Sequence, residues 1–253
     1  MLKTMLKYTF AGAVLFPFAL LLALSFGQNW RFPALLPAVW TMDNWQLLLT
    51  SQSDLAQSLL RSLSISAGIA TAATGLGFIT AKHIAYHPWR QQWLTLAYLP
   101  YIFAPVILAA TLQFFFLRLG LAGNVPGVLF AQLLIAYPFG VIFFTGFWND
   151  RMRAMEQLSA TLGGNKRQTF LRVLLPAAQG ALLVCFFQAF LISWFEYGLT
   201  TLIGIGKVQT LTVKVFQYIG EANIFHAALA SLLLALPPAG LLWVNKQVLF
   251  KTS

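Results

Sequence analysis

Six uncharged runs, each near the ~20 residues that a helix needs to cross a ~30 Å hydrocarbon layer, set the architecture open to this chain. They are Tyr8–Phe26, Ser62–Ala81, Trp93–Leu117, Val125–Trp148, Ala177–Trp194 and Ala227–Val244. Inside a bilayer no water is at hand to satisfy a backbone amide, so such runs are expected to be helices. The expectation is therefore all-α: a polytopic membrane protein with six transmembrane helices, treated as a single domain over residues 1–253. A composition 59% hydrophobic and 9% charged agrees with this and speaks against one or two soluble domains.

The first run follows Lys3 and Lys7 in the manner of a signal peptide. It stays uncharged through Trp30, however, and Leu24-Ser25-Phe26-Gly27 offers no small-residue cleavage site, so it is read as a retained helix. The net charge of +10 does not point to nucleic acid, because the basic residues are scattered between apolar runs. In that pattern they set membrane orientation. With the N-terminus inside, the cytoplasmic side carries Lys3, Lys7, Lys82, Arg90, Arg151, Arg153, Lys166, Arg167, Arg172, Lys246 and Lys251. The outer side carries only Arg31, Arg61, Arg118, Lys207 and Lys214. Both termini are thus expected in the cytoplasm.

Residues with catalytic chemistry are sparse. Cys185 is the single cysteine and lies in an apolar run, which leaves no disulfide framework and no cysteine metal site. His83 and His87 have the i,i+4 spacing of a ligand pair, but no third ligand is near and Pro88 follows, so an interfacial pair is expected and no metal. Gly204-Ile205-Gly206-Lys207 resembles part of a phosphate loop. Thr201 stands where the leading glycine belongs, though, and no Ser or Thr follows Lys207. No cofactor is expected, and the chain is not read as an enzyme. Pro100, Pro105, Pro138, Pro237 and Pro238 lie in or beside the runs. They suit helices that bend during transport and equally suit static packing. Glu196 is the acid closest to a span; beside Tyr197 it is either an interfacial anchor or the outer mouth of a translocation path attracting cations.

One polar island interrupts the second half, Asp150–Pro176. Met152, Met155, Leu158 or Ser159, and Leu162 fall on one face at helical spacing, giving a short amphipathic helix. Gly163-Gly164 ends it, and Asn165 caps a second short helix whose apolar positions include Phe170, Val173 and Leu174. Pro176 then opens the fifth apolar run.

The order Gly163, nine residues, Val173, one residue, Leu175, Pro176 resembles the EAA loop of permeases of type I ABC importers. Gln157-Leu158-Ser159 stand where that family has Glu-Ala-Ala; its acid is missing from that position, and Glu156 sits one residue earlier. Two further stretches carry the likeness. Phe32-Pro33, Pro37 and Trp40-Thr41-Met42-Asp43-Asn44-Trp45 resemble the segment before the family's second helix. Ile192-Ser193-Trp194-Phe195-Glu196-Tyr197 resembles a Ser-Trp-Asn-Glu-Phe stretch late in its fifth helix, with Phe195 in place of the asparagine. Gly198–Ala227 looks loosely like the thiamine, iron and polyamine branch, which would imply a cationic solute.

The resemblance implies the permease subunit of an ATP-driven importer, multi-pass in a bacterial plasma (inner) membrane. It assigns Glu156, Gln157, Ser159, Ala160, Leu162, Gly163, Asn165 and Arg167 to contact with an ATPase subunit. Gly164, Val173, Leu175 and Pro176 would hold the loop's shape, and Glu196 and Tyr197 would border a path. The partners implied are ABC ATPase subunits, a second permease copy or homologue, an extracytoplasmic solute-binding protein and membrane lipid. The alternative is an ion-coupled secondary transporter or channel working without an ATPase; it calls for intramembrane charges and inverted repeats, neither of which stands out here.

Overall fold

The computed structural model describes residues 2–29, 37–49 and 53–250. Arg31, Phe32, Pro33 and Lys251 of the expectations above lie outside them. In chain order the elements are α1 (Leu2–Ser25), β1 (Gly27–Gln28), β2 (Val39–Trp40), α2 (Asp43–Leu49), α3 (Asp54–Ala85) and α4 (Arg90–Tyr98). There follow α5 (Pro105–Arg118), α6 (Val125–Phe147), α7 (Asp150–Thr161), α8 (Lys166–Thr169), α9 (Leu175–Trp194), α10 (Gly198–Gly204), α11 (Leu211–Gly220) and α12 (Ile224–Phe250).

Among the described residues, five stretches are single helices long and apolar enough to span a membrane: Thr4–Ser25, Asp54–Ala85, Val125–Phe147, Lys166–Trp194 and Ile224–Leu241. The sixth expected span, Trp93–Leu117, is not one helix. It is a pair, Arg90–Ile102 and Pro105–Arg118, bent by 94°. Pro105 stands in the first turn of α5, and Ala104 before it is extended at φ −61, ψ 142, because the residue before a proline is pushed out of the helical region.

The fifth span differs in the other direction. The expected span was Ala177–Trp194, led into directly by the island, and the structure extends it backwards into one helix from Lys166 to Trp194. Phe170–Leu174 forms a π turn in which Leu175 N–H donates to Phe170 O, five residues back. Proline in an ordinary helix clashes with the carbonyl four residues earlier. The wider turn just before Pro176 makes room, so the helix passes through the proline.

The chain divides into two compact units. In the first, Met1–Ser62 with Gln209–Gly240, α1 leads into an antiparallel β1–β2 pair that sets Gly27 opposite Trp40 and Gln28 opposite Val39. The Trp40–Trp45 stretch closes over the end of α1: Asn44 Nδ2 donates to the Ser25 and Gly27 carbonyls at 3.0 and 3.1 Å. Trp45 Nε1 donates to Ser25 Oγ at 3.2 Å, and its ring stacks on Phe26. Carbonyls freed where the helix ends are thereby satisfied within the unit. α1 itself leaves Leu6, Phe10, Leu15 and Phe16 exposed, an apolar surface suited to lipid.

The second unit, Leu63–Val208 with Leu241–Ser253, is built on the contact of α3 with α6. A Cβ on Gly77 would come within 2.7 Å of the Gly140 backbone, and one on Gly140 within 2.5 Å of the Ala73 carbonyl. Small residues thus let two backbones touch where no larger side chain fits. Towards the end of this crossing, Phe78, Phe144, Trp148, Leu174 and Cys185 make one buried apolar cluster. Ala109, Phe116, Ala131, Ile135, Leu199 and Ile203 make another.

Candidate coupling site and the polar interior

The island is built from local capping rules. Asn149 caps α7 by accepting the Met152 N–H at 3.2 Å. After Leu162, Gly163 takes φ +82, the left-handed conformation that costs little only without a Cβ. Gly163 N–H then donates to Ala160 O and Gly164 N–H to Ser159 O, at 3.1 and 2.9 Å, the paired bonds of a Schellman stop. α8 begins at once with a full capping box: Asn165 Oδ1 accepts from Gln168 N–H at 2.8 Å, and Gln168 Oε1 accepts from Asn165 N–H at 3.1 Å. Ser159 and Thr169 close the bend, with their hydroxyls 2.8 Å apart. The corner is stiff.

Its apolar stripe is divided. Met152 and Phe170 pack against the Phe78–Trp148 cluster, whereas Leu158 is 61% exposed and Leu162 80%. Beside them opens a cavity of about 390 Å³ bordered by Met155, Ser159, Gly164, Gln168, Arg172 and Val173. Gln157, Ala160, Asn165 and Arg167 are exposed on the same segment. Leu175 and Pro176 belong to the long helix beyond.

Four residues missed in the sequence, Lys82, Trp148, Arg153 and Tyr86, brace this corner. Lys82 Nζ pairs with Glu156 Oε1 at 2.6 Å and lies 5.4 Å above the Trp148 ring. Trp148 is buried and donates from Nε1 to Phe78 O at 3.0 Å. Arg153 sits 5.4 Å over the ring of Tyr86. Burial, with the Glu156 carboxylate next in weight, pushes the Tyr86 phenol above its ordinary value, so it offers Arg153 a neutral ring at physiological pH. The basic residues expected on the cytoplasmic side and an acid within one α-helical turn of the motif were the available signals.

Glu196 has a structural partner set. Its Oε1 accepts from Leu199 N–H at 2.7 Å, and its Oε2 from Thr200 N–H and Thr200 Oγ at 2.9 and 2.8 Å. It therefore caps α10, an arrangement favoured by the dipole of the helix start. Tyr197 is exposed beside it. The cap extends inward as a buried polar chain that sequence reading did not find. Gln132 Nε2 donates to Thr200 Oγ at 2.9 Å, Ser193 Oγ to Gln132 Oε1 at 2.5 Å, and Ser193 pairs with Ser66 at 3.1 Å. Gln132 was the visible signal, a lone amide inside an apolar run. The other motifs are ordinary structure. His87 lies in the turn after α3, so it shares no helix face with His83; its Nδ1 accepts from Trp89 N–H at 3.1 Å. Gly204–Lys207 ends a helix through Ile205 at φ +47, where a phosphate loop would begin one.

Against family models the sequence has no match. It is 26% identical over 212 residues to Sulfate permease 2, chloroplastic, of Chlamydomonas reinhardtii, covering 77% of this chain and 58% of that protein. It is 23% identical over 190 residues to the inner membrane ABC transporter permease protein YcjP of Escherichia coli (strain K12), covering 72% of this chain and 68% of that one. The chain thus spans 58% of the length of the algal relative. In structure it is similar to a chain in the crystal structure of a bacterial ABC transporter involved in the import of the acidic polysaccharide alginate. The TM-score is 0.64 at 14% identity, with 97% of this chain and 94% of that chain covered. The chain is a multi-pass helical membrane protein, and its fold is that of a membrane-spanning chain of an ABC transporter. Its likeness in sequence is to an ABC transporter permease.

Proposed function

We propose that this chain is the permease subunit of an ATP-driven ABC importer, contributing half of a translocation path and coupling to an ATPase subunit through residues 150–176. One observation carries the reading: a rigid, doubly capped corner that exposes Leu158 and Leu162 next to a cavity while anchoring its other face. A connector between spans needs neither the rigidity nor the exposed leucines, whereas a helix seated in another subunit's cleft needs both. The fold and the similarity to YcjP support the class. In this reading both termini and the corner are cytoplasmic, a second permease copy or homologue completes the path, and ATP is hydrolysed by the partner. The relatives' names carry sulfate and alginate, neither of them the cation implied by the Gly198–Ala227 likeness. The cargo would be set by an extracytoplasmic solute-binding protein, and a thermal-shift ligand screen on that partner identifies it.

The test is Gly163→Asp, co-expressed with the cognate ATPase. At φ +82 the new Cβ is strained by roughly 1–2 kcal/mol, and the carboxylate enters the proposed contact. No neighbouring atom lies within 4 Å of that Cβ, so the membrane level should stay near normal. Copurification of the ATPase and uptake should both be lost, whereas Arg167→Ala, exposed on the same segment, should lower both much less. Retention of ATPase binding and uptake in Gly163→Asp would reduce the corner to a connector.

A further inference from the structure

In the first unit, α3 places Asp54, Gln57, Ser58 and Arg61 at i, i+3, i+4 and i+7, on one face of its opening turns. Gln209 and Lys214, from the start of α11, complete a cavity of about 260 Å³ with those four. Every lining side chain is polar, and two are cations against one acid. Lys214 is 6% exposed and Ser58 1%. A buried ammonium is costly unless an anion and hydrogen-bond acceptors meet it closely.

Asp54 does not meet that need. Its nearer oxygen is 3.7 Å from Lys214 Nζ, beyond hydrogen-bond reach, and its side chain is 79% exposed, so solvent screens most of the attraction. An ion pair kept for stability closes on itself, but here a cavity several times the ~30 Å³ share of one water lies among the same residues. Among the described residues, Arg61 Nη1 reaches only the Gln209 carbonyl, at 3.4 Å. Lys214 also lies 5.9 Å from the ring of Tyr218. Burial, then the Asp54 and Glu221 carboxylates, push the Tyr218 phenol above its ordinary value, so the ring is neutral and adds no competing charge. The first turns of α3 and α11 both border the space, and helix starts favour negative charge.

We propose that this cavity is a binding site for a small tetrahedral oxyanion of the sulfate or phosphate type, held by Lys214 and Arg61 with Ser58 and Gln57 as neutral donors. Asp54 competes for the same lysine and thereby weakens the site. The proposal does not depend on the permease reading, because binding is measured on this chain without an ATPase.

The full chain, purified into phosphatidylcholine nanodiscs, is titrated with sodium sulfate and with sodium phosphate, against sodium chloride at equal ionic strength. Calorimetry and the melting temperature are read. Sulfate or phosphate should bind saturably and raise the melting temperature where chloride does not. Arg61→Gln and Lys214→Gln should each weaken binding by about tenfold or more, as expected for loss of a charge-assisted bond. Asp54→Asn should tighten it. Should Lys214→Gln fail to fold, Arg61→Gln and Asp54→Asn still decide the matter. Loss of the sulfate response in discs containing phosphatidylglycerol would show that a lipid phosphate of the same chemistry takes the site. No response beyond chloride in the wild type, unchanged binding in Arg61→Gln, or weaker binding in Asp54→Asn would each overturn the proposal.

Discussion

At the Gly163 corner, apolar side chains stand in the open: among the described residues nothing covers most of Leu158 or Leu162. Around Gln132 the reverse holds, for amide and hydroxyls sit in an apolar interior, joined to one another and at one end to the half-buried Glu196 carboxylate. Both arrangements break the usual rule of polar outside and apolar inside. They differ in completeness. The interior chain from Ser66 to Glu196 satisfies itself, which is what a buried polar group requires to persist. The corner is rigid in its backbone yet unfinished on its surface. An unfinished surface held by a finished backbone marks where another molecule belongs, whereas a finished network marks how the chain holds itself together.

Three substitutions put this contrast at risk. Leu162→Glu should have the largest effect and only on assembly. Desolvating a leucine contributes about 1.5–3 kcal/mol, so ATPase copurification should fall by about tenfold or more while the melting temperature stays put. Retained copurification would mean that the exposed leucines are incidental. Gln132→Leu should do the opposite. Leaving Thr200 and Ser193 with one partner fewer should lower stability by about 1–2 kcal/mol, the range for buried hydrogen bonds including those in membranes. That loss is read as an earlier melt in detergent, with the ATPase still bound by the protein that remains folded; unchanged melting would show the network to be decorative. Smallest of all is Lys82→Met. The Lys82–Glu156 pair is partly open to solvent, so a double-mutant cycle with Glu156→Gln should return a coupling of about 1 kcal/mol or less. A markedly larger coupling would place the brace among the elements that fold the corner.

What could be read from the sequence follows the range of the physics involved. The apolar spans were legible because lipid imposes a continuous requirement along each run. The Gly163 turn and the Asn165 cap were legible because caps depend on residues three or four positions apart. The bend between Ile102 and Pro105 was only half visible: Pro100 and Pro105 stood in the run, but that they divide it depends on α6 and α10 packing beside it. Tyr101, for instance, donates to the Ile135 carbonyl at 2.5 Å. That the island leads straight into the fifth span was legible, whereas the π turn that carries the helix past Pro176 has no residue signature. Glu196 looked like either an anchor or a pathway acid, and its cap on α10 was recognisable only once Leu199 and Thr200 were known to start a helix. Lys214, counted as an outer-loop charge, is buried, since the opening stretch of α11, Leu211 to Val215, is buried on every side.

The uninterrupted helix from Lys166 to Trp194 has a mechanical meaning. At 29 residues and 1.5 Å per residue it is a rod of roughly 43 Å. One end begins at the capped corner, and the other carries Ser193 into the buried polar chain. Had the helix stopped at Pro176, a swivel would lie between those ends and small displacements would dissipate there. Instead the rod starts at the stiff corner itself and runs without a stop to Trp194. The capped corner and Ser193 are thus the two ends of one continuous helix, with no break in the chain between them.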